Sequence, residues 1–105
     1  MQLSVSKTHP DFDAMVALSG EFDAYGCREI RADLEQIVVD FPARKIALDL
    51  SKVTFIDSSG VGAIVFLHKR MLSAGGSISL IGVRGQPKEL LQLLRVGEAI
   101  ATEWA

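Results

Sequence analysis

The chain has few of the sequence features that crosslink a protein, insert it into a membrane or direct its secretion. Its single cysteine, Cys27, excludes an intrachain disulfide and a cysteine-rich metal site, and an unpaired thiol fits a reducing compartment. No apolar run approaches the ~18 residues that cross a bilayer. The first residues also lack the basic stretch and apolar block that mark a secretory signal. We therefore expect a cytoplasmic protein without membrane insertion.

An excess of positive charge is also missing. The 11 lysines and arginines are outnumbered by 13 aspartates and glutamates, which gives a formal net charge of -2. Proteins that bind phosphate backbones are typically basic, so direct binding of nucleic acid is not expected. An apolar fraction of 49% and a charged fraction of 23% are ordinary for a globular chain. The length fits a single domain over residues 1–105.

Hydrophobic periodicity predicts strands that alternate with helices. Alternating or continuous apolar residues over strand lengths predict five strands, at residues 2–6, Ala14–Leu18, Lys45–Leu50, Ser77–Ile81 and Ala99–Trp104. Two apolar stripes with helical spacing predict two helices, one with Cys27, Ile30, Leu34, Ile37, Val38 and Phe41, the other with Val61, Ile64, Val65, His68, Met71 and Leu72. Pro42 should end the first helix and Gly75–Gly76 the second. A third helix is expected from Pro87 to Gly97.

The order of these elements defines a fold class. Residues 19–23 are predicted to break the second strand, and the stretch through Phe55 and Ile56 is predicted to be a loop. Strands that alternate with helices imply right-handed crossovers and a largely parallel sheet. The link between the first two strands is too short for a crossover, so these two should pair antiparallel. We therefore expect an α/β fold with a small mixed, largely parallel β-sheet packed with helices.

The stretch Asp57-Ser58-Ser59-Gly60 lies where the second helix begins. Asp57 or Ser58 can cap the free N–H groups of the first turn, and a cap alone explains the tetrapeptide. Two features favour a further role. Gly60 and Gly62 each cost about 1 kcal/mol relative to alanine in a helix interior, and they should leave the helix N-terminus open to another backbone. A phosphate on a hydroxyl here would be tolerated by the helix dipole while its charge repels a docked partner.

Two segments resemble a known family. The run from Leu48 to Gly62, LDLSKVTFIDSSGVG, is similar to the signature of STAS domains, and more narrowly to that of single-domain bacterial anti-sigma factor antagonists. The run from Leu18 to Asp23, LSGEFD, is similar to the other landmark of that family and ends 34 residues before Asp57. The resemblance extends over essentially the whole chain and implies the STAS fold.

The resemblance also implies which residues act. The second serine of the signature is the family's phosphoacceptor, which implies Ser59 here. The implied partner-binding surface is made of Asp23, Asp57, Ser58, Ser59 and Gly60. Loops that follow successive parallel strands emerge at one end of a sheet, so Asp23 and residues 57–60 should form one patch.

The function that the resemblance implies is that of an anti-sigma factor antagonist. The unphosphorylated form would bind an anti-sigma factor serine kinase, an ATPase of the histidine-kinase type, and so free the sigma factor. Phosphorylation at Ser59 would end this binding, and a metal-dependent serine phosphatase would restore it. The alternative is a STAS scaffold or accessory subunit of a stress-signalling assembly or a lipid-transport complex, without a phosphorylation cycle. Phosphorylation of Ser59 by a partner kinase discriminates the two.

Residues for catalysis are lacking. The residue two before Ser59 is Asp57, so the Gly-x-Ser-x-Gly pattern of an α/β hydrolase is absent, and so is a phosphate-binding loop. His68 lies nine residues after Ser59, about 13 Å along a helix axis, which is too far to activate it. Asp49 and Asp57 alone do not make a metal site. We expect no enzyme activity, no cofactor and no bound metal.

Overall fold

A computed structural model of the protein describes all residues 1–105 and contains one five-stranded sheet. The strands are β1 (Gln2–Ser6), β2 (Ala14–Phe22), β3 (Lys45–Ile56), β4 (Ser77–Val83) and β5 (Ala101–Trp104). The helices are α1 (Ala24–Asp40), α2 (Ser58–Ser73) and α3 (Gly85–Leu93), and a 3-10 turn spans Val96–Glu98. No helix is both long and apolar enough to cross a membrane.

The strands lie in the sheet in chain order. β1 and β2 pair antiparallel, whereas β2–β3, β3–β4 and β4–β5 pair in parallel. Each parallel pair is joined by a helix, as the crossover between parallel neighbours requires. The prediction of a mixed, largely parallel α/β sheet is confirmed.

The core lies between one face of the sheet and the helices α1 and α2. Alternate strand residues and one stripe of each helix are buried in it; they include Ala14, Val16, Leu18, Ile46, Leu48, Leu50, Ile30, Leu34, Ile37, Ile64, Leu67 and Met71. Burying one such large side chain stabilises the fold by roughly 1.5–3 kcal/mol. α1 and α2 also pack against each other. Their N-termini are thereby held side by side.

β2 and β3 are longer than the sequence pattern predicts. The predicted break after Leu18 and the predicted loop through Phe55 and Ile56 are wrong, because pairing continues to Phe22 and Ile56. Two register shifts, between Ala17 and Ser19 and between Gly20 and Glu21 of β2, each leave one extra residue in β3. Such bulges interrupt the alternation of apolar residues without ending the strand.

The helix boundaries follow the predicted stop signals except in α3. α1 ends at Asp40, just before Pro42, and α2 ends in a motif in which the Gly76 N–H donates to the carbonyl oxygen of Met71. α3 ends at Leu93 rather than at Gly97, because Arg95 takes a left-handed conformation with φ 55°.

The buried stripe of α2 is also displaced from the predicted one. Leu67 is fully buried, whereas Leu72 is 54% exposed. The stripe runs through Gly60, Ile64, Leu67 and Met71, so it begins at the glycine of the first turn rather than at Val61. His68, predicted on this face, is half-buried at its flank.

Candidate functional site

Two strand ends meet at the carboxyl end of the sheet. β2 and β3 pair as far as Phe22 and Ile56, and Asp23 and Asp57 follow directly. The Asp57 N–H donates to the carbonyl oxygen of Phe22 at 3.4 Å. Neighbouring strands lie about 4.8 Å apart, so the two aspartates are neighbours. The structure thus brings together the two segments that the order of elements placed at one end.

Asp57 is the N-cap of α2. Its backbone is extended, and its Oδ1 accepts hydrogen bonds from the N–H groups of Ser59 at 2.9 Å and Gly60 at 3.2 Å. These are two of the N–H groups that the first helical turn cannot satisfy itself. Of the two capping candidates in the sequence, the structure therefore uses Asp57, and Ser58 is exposed.

Asp23 has the same structural role in α1. It also has extended backbone, and its Oδ1 accepts from the Gly26 N–H at 2.9 Å. Its half-buried carboxylate therefore holds the first turn of a helix. The sequence pattern did not indicate this role, because it predicted only that residues 19–23 end the second strand.

The two glycines of α2 differ in their surroundings. A Cβ on Gly60 would overlap the carbonyl oxygen of Phe22 and would lie 2.6 Å from the Ile56 side chain. A Cβ on Gly62 would meet nothing within 4 Å. The prediction that both glycines leave the helix N-terminus open is therefore wrong for Gly60, where the chain's own strand end fills the space. Gly60 is buried and lies outside the accessible surface, whereas Gly62 is exposed.

Ser59 lies at one end of a groove between α1 and α2. The groove has a volume of about 230 Å³ and is lined by Cys27, Arg28, Arg31, Leu34, Ser59, Ala63 and Phe66. Ligand pockets usually enclose ~300–1,000 Å³, so this is a small surface groove rather than a cavity for a drug-sized molecule. Ser59 is half-buried against it, unlike the exposed Ser58.

Sequence reasoning missed the groove, although a signal was present. Cys27, Arg31 and Leu34 are spaced four and three residues apart on α1, and Ser59, Ala63 and Phe66 repeat that spacing on α2. Residues so spaced share one helix face. The apolar stripe predicted for α1 included Cys27 and Leu34 but neither Arg28 nor Arg31.

The electrostatic environment at the helix N-termini is negative. The pKa of the Cys27 thiol is raised above its ordinary value, first by burial and then by the negative charges of Asp57 and Asp23. Both effects favour the neutral thiol over the thiolate. The shift also places both carboxylates within electrostatic reach of the groove that Ser59 lines.

Groups that could activate Ser59 or bind a metal ion do not converge here. No three His, Cys, Asp or Glu side chains are grouped so that they could hold a metal ion. The Nδ1 of His9 accepts from the Asp11 N–H in the turn before β2, at the opposite end of the sheet. His68 lies more than two turns along α2 from Ser59.

The arrangement is an α/β sheet whose second and third strands each lead into an aspartate-capped helix. The sequence profile of the STAS domain family matches residues 4–103. The chain belongs to the STAS domain family. One curated relative, an anti-sigma F factor antagonist of Paenibacillus polymyxa, is 28% identical over 93 residues, which cover 89% of this chain and 80% of that protein.

Solved structures share the fold. An anti-sigma factor antagonist from Mycobacterium paratuberculosis superposes with a TM-score of 0.81 at 19% identity, over 96% of this chain and 83% of that one. The Bacillus cell fate determinant SpoIIAA in its phosphorylated form gives a TM-score of 0.72 at 19% identity, over 99% of this chain and 91% of that one. At these identities the likeness establishes the fold.

Proposed function

We propose that this STAS domain is an anti-sigma factor antagonist that works as a phosphorylation-controlled binding module. The observation that carries the proposal is the position of Ser59. Its hydroxyl lies in the first turn of α2, beside two neighbouring carboxylates and at the end of an accessible groove. The names of the P. polymyxa relative and of the phosphorylated Bacillus protein support the same assignment.

The accessible binding surface comprises Asp23, Asp57, Ser58 and Ser59. Gly60 supports it from beneath, because its lack of a side chain lets Phe22 approach. Unmodified, the hydroxyl of Ser59 can exchange hydrogen bonds with a docked protein. Phosphorylation adds roughly −1.5 to −2 charges next to Asp23 and Asp57. A partner that has docked against these carboxylates then faces like-charge repulsion and a larger desolvation cost.

The partners follow from the resemblance. The binding partner is an anti-sigma factor serine kinase, an ATPase of the histidine-kinase type, which phosphorylates Ser59 and is released by that modification. A metal-dependent serine phosphatase reverses the step. Binding rather than catalysis is also the role that the residues around Ser59 support, since neither histidine is within reach of its hydroxyl.

Phosphorylation by the kinase encoded in the same genome tests the proposal. Incubation with ATP, followed by mass spectrometry, should place one phosphate on Ser59. Ser59→Ala should abolish incorporation, whereas the matched control Ser58→Ala should retain it. Phosphate on Ser58, or none on a protein that still binds the kinase, would contradict the switch and favour the scaffold alternative.

Calorimetric titration of the same kinase tests the binding surface. Ser59→Asp should weaken binding by about 1–3 kcal/mol if the position is central to the interface. Ser59→Ala should bind with a smaller loss and resist inactivation. Equal affinity of the wild type and Ser59→Asp would contradict the proposed surface.

A further inference from the structure

The groove between α1 and α2 places two arginines on the same lining as Ser59. Arg28 and Arg31 are the only basic side chains among its seven lining residues. The remaining lining is apolar or uncharged, with Leu34, Ala63 and Phe66 farther along. A phosphate on Ser59 would therefore enter a groove whose nearest cations are two guanidinium groups, the preferred bidentate partners of phosphate.

The negative charges around Ser59 make a phosphate on this residue unfavourable without nearby cations. Asp57 and Asp23 lie beside it, and both add negative potential at neighbouring Cys27. A phosphate of about −2 charges near two carboxylates is unfavourable unless positive charge compensates it. The N–H groups of the first turn cannot compensate fully, because Asp57 already accepts from Ser59 and Gly60.

Both arginines are free to rearrange. Arg28 forms no salt bridge, and its guanidinium lies 4.7 Å from the ring centre of the exposed Tyr25. The Arg31 Nε is 3.4 Å from Glu35, in a pair whose side chains are 78% and 50% exposed. Exposed pairs of this kind contribute little to stability, so a phosphate can compete for Arg31.

The direction of helical side chains favours the contact. Cα–Cβ bonds in a helix tilt toward its N-terminus. Cys27 and Ser59 begin the two facing rows of the groove, and Arg31 lies one turn after Cys27. An arginine at this position leans back toward the level of Ser59, and its long side chain can extend along the groove that both residues line.

We propose that a phosphate on Ser59 is bound within the same chain by Arg28 and Arg31 of α1, which closes the groove. The proposal rests on the proposed function only in taking Ser59 as the modified residue. Phosphorylation then acts in two ways on a partner: it adds charge beside the aspartates, and it withdraws both arginines and the groove from the surface.

The second ionisation of the phosphate gives a direct test that needs no kinase. Phosphoserine is incorporated at position 59 during synthesis of the full chain, and its phosphorus resonance is followed by NMR against pH. Free phosphoserine has a second pKa near 6. Bound guanidinium groups favour the dianion and lower this pKa, whereas the carboxylates of Asp23, Asp57 and Glu35 raise it. The Cys27 thiol, whose pKa is raised, stays neutral in this range and adds no charge beside the phosphate.

Arginine substitutions identify the source of the shift. The wild-type phosphoprotein should titrate below ~6, and Arg28→Gln and Arg31→Gln should each raise the value, together by about one unit or more. Arg44→Gln is the matched control, because Arg44 is exposed and precedes β3 at the opposite end of the sheet. Circular dichroism checks that each variant is folded.

The outcomes separate this proposal from the proposed function. A wild-type value at or above ~6, or one that neither arginine substitution changes, would overturn binding of the phosphate by Arg28 and Arg31. Failure of the kinase to modify Ser59 would overturn the phosphorylation switch, yet the titration of the incorporated phosphoserine would still report on the arginines.

Discussion

α1 and α2 begin in the same way but present different side chains to solvent. Each begins with an aspartate N-cap and has a buried glycine three residues later, Asp23 with Gly26 and Asp57 with Gly60. A Cβ on either glycine would overlap a backbone carbonyl oxygen, that of Glu21 or that of Phe22. The two residues between cap and glycine are Ala24 and Tyr25 in α1 but Ser58 and Ser59 in α2.

The outer and the inner positions of these two segments therefore face different constraints. The outer residues of each four-residue segment hold the helix against the strand ends, so their identity is set by hydrogen bonding and close packing. The inner residues are accessible, with Tyr25 72% exposed, and packing leaves their identity open. Serine hydroxyl groups occupy the inner positions of α2 but not those of α1, and the proposed phosphorylation acts at one of them.

The largest expected effect comes from filling the space at Gly60. Gly60→Ala should destabilise the protein by about 3 kcal/mol, because the added Cβ overlaps the backbone of Phe22, which has no flexible end to move. Gly62→Ala is the matched control and should stabilise by up to ~1 kcal/mol, since its Cβ meets nothing and alanine favours the helix. Urea unfolding measures both. Similar stabilities of the two variants would show that the close approach at Gly60 is not needed.

Removing the N-caps should have the next largest effect on stability, and the loss should be larger for α2 than for α1. Asp57→Ala should cost about 1–2 kcal/mol and Asp23→Ala about 1 kcal/mol, because Asp57 accepts two N–H groups and Asp23 accepts one. Asp57→Asn and Asp23→Asn keep a capping oxygen and should lose much less. If the asparagine variants lose as much as the alanine variants, the carboxylate charge rather than the hydrogen bond stabilises these helix termini.

Because Asp23 caps α1, an alanine variant of this residue is not a clean test of the binding surface. Asp23→Ala removes a charge from the surface and a cap from α1 at once, so weaker binding by this variant has two causes. Asp23→Asn removes the charge alone. Affinity lost in Asp23→Asn, with urea stability retained, assigns the effect to the partner surface.

The smallest expected effect is on the reactivity of Cys27. Because its pKa is raised, the thiol should react slowly with iodoacetamide near neutral pH, and the rate should increase as pH rises through that pKa. Replacing Asp23 and Asp57 by asparagine should lower the pKa and speed the reaction modestly, since burial is the first cause of the shift. The urea-unfolded protein provides the reference rate. A slower reaction in the double variant would contradict a negative potential from the two aspartates.

Local pattern predicted the elements but not their lengths. Alternation and short apolar runs located all five strands, and Pro42 and Gly75–Gly76 marked two helix ends. The strand prediction stopped at Leu50 because the polar pair Ser51-Lys52 interrupts the apolar pattern. A bulged strand loses its alternation while it keeps its pairing. Helix α3 ends at Leu93, shortly before Arg95, whose left-handed backbone no propensity indicates.

The site was predictable in part. The capping signal at Asp57 and the order of strands placed it beside Asp23. The buried glycines and the groove depend on how β2, β3 and the two helices approach one another, and that is a property of tertiary packing. A clue to the close packing was present in the repeated spacing of aspartate and glycine, which occurs at Asp23–Gly26 and again at Asp57–Gly60.

The chain-order arrangement of the sheet has a consequence for synthesis on the ribosome. Each new strand is added beside the one that emerged just before it, so no strand waits for a distant partner. Both helix caps and the groove lining lie within residues 21–66, which leave the exit tunnel before β4 does. A nascent chain therefore exposes every residue of the surface around Ser59 while the free edge of β3 still awaits its neighbour.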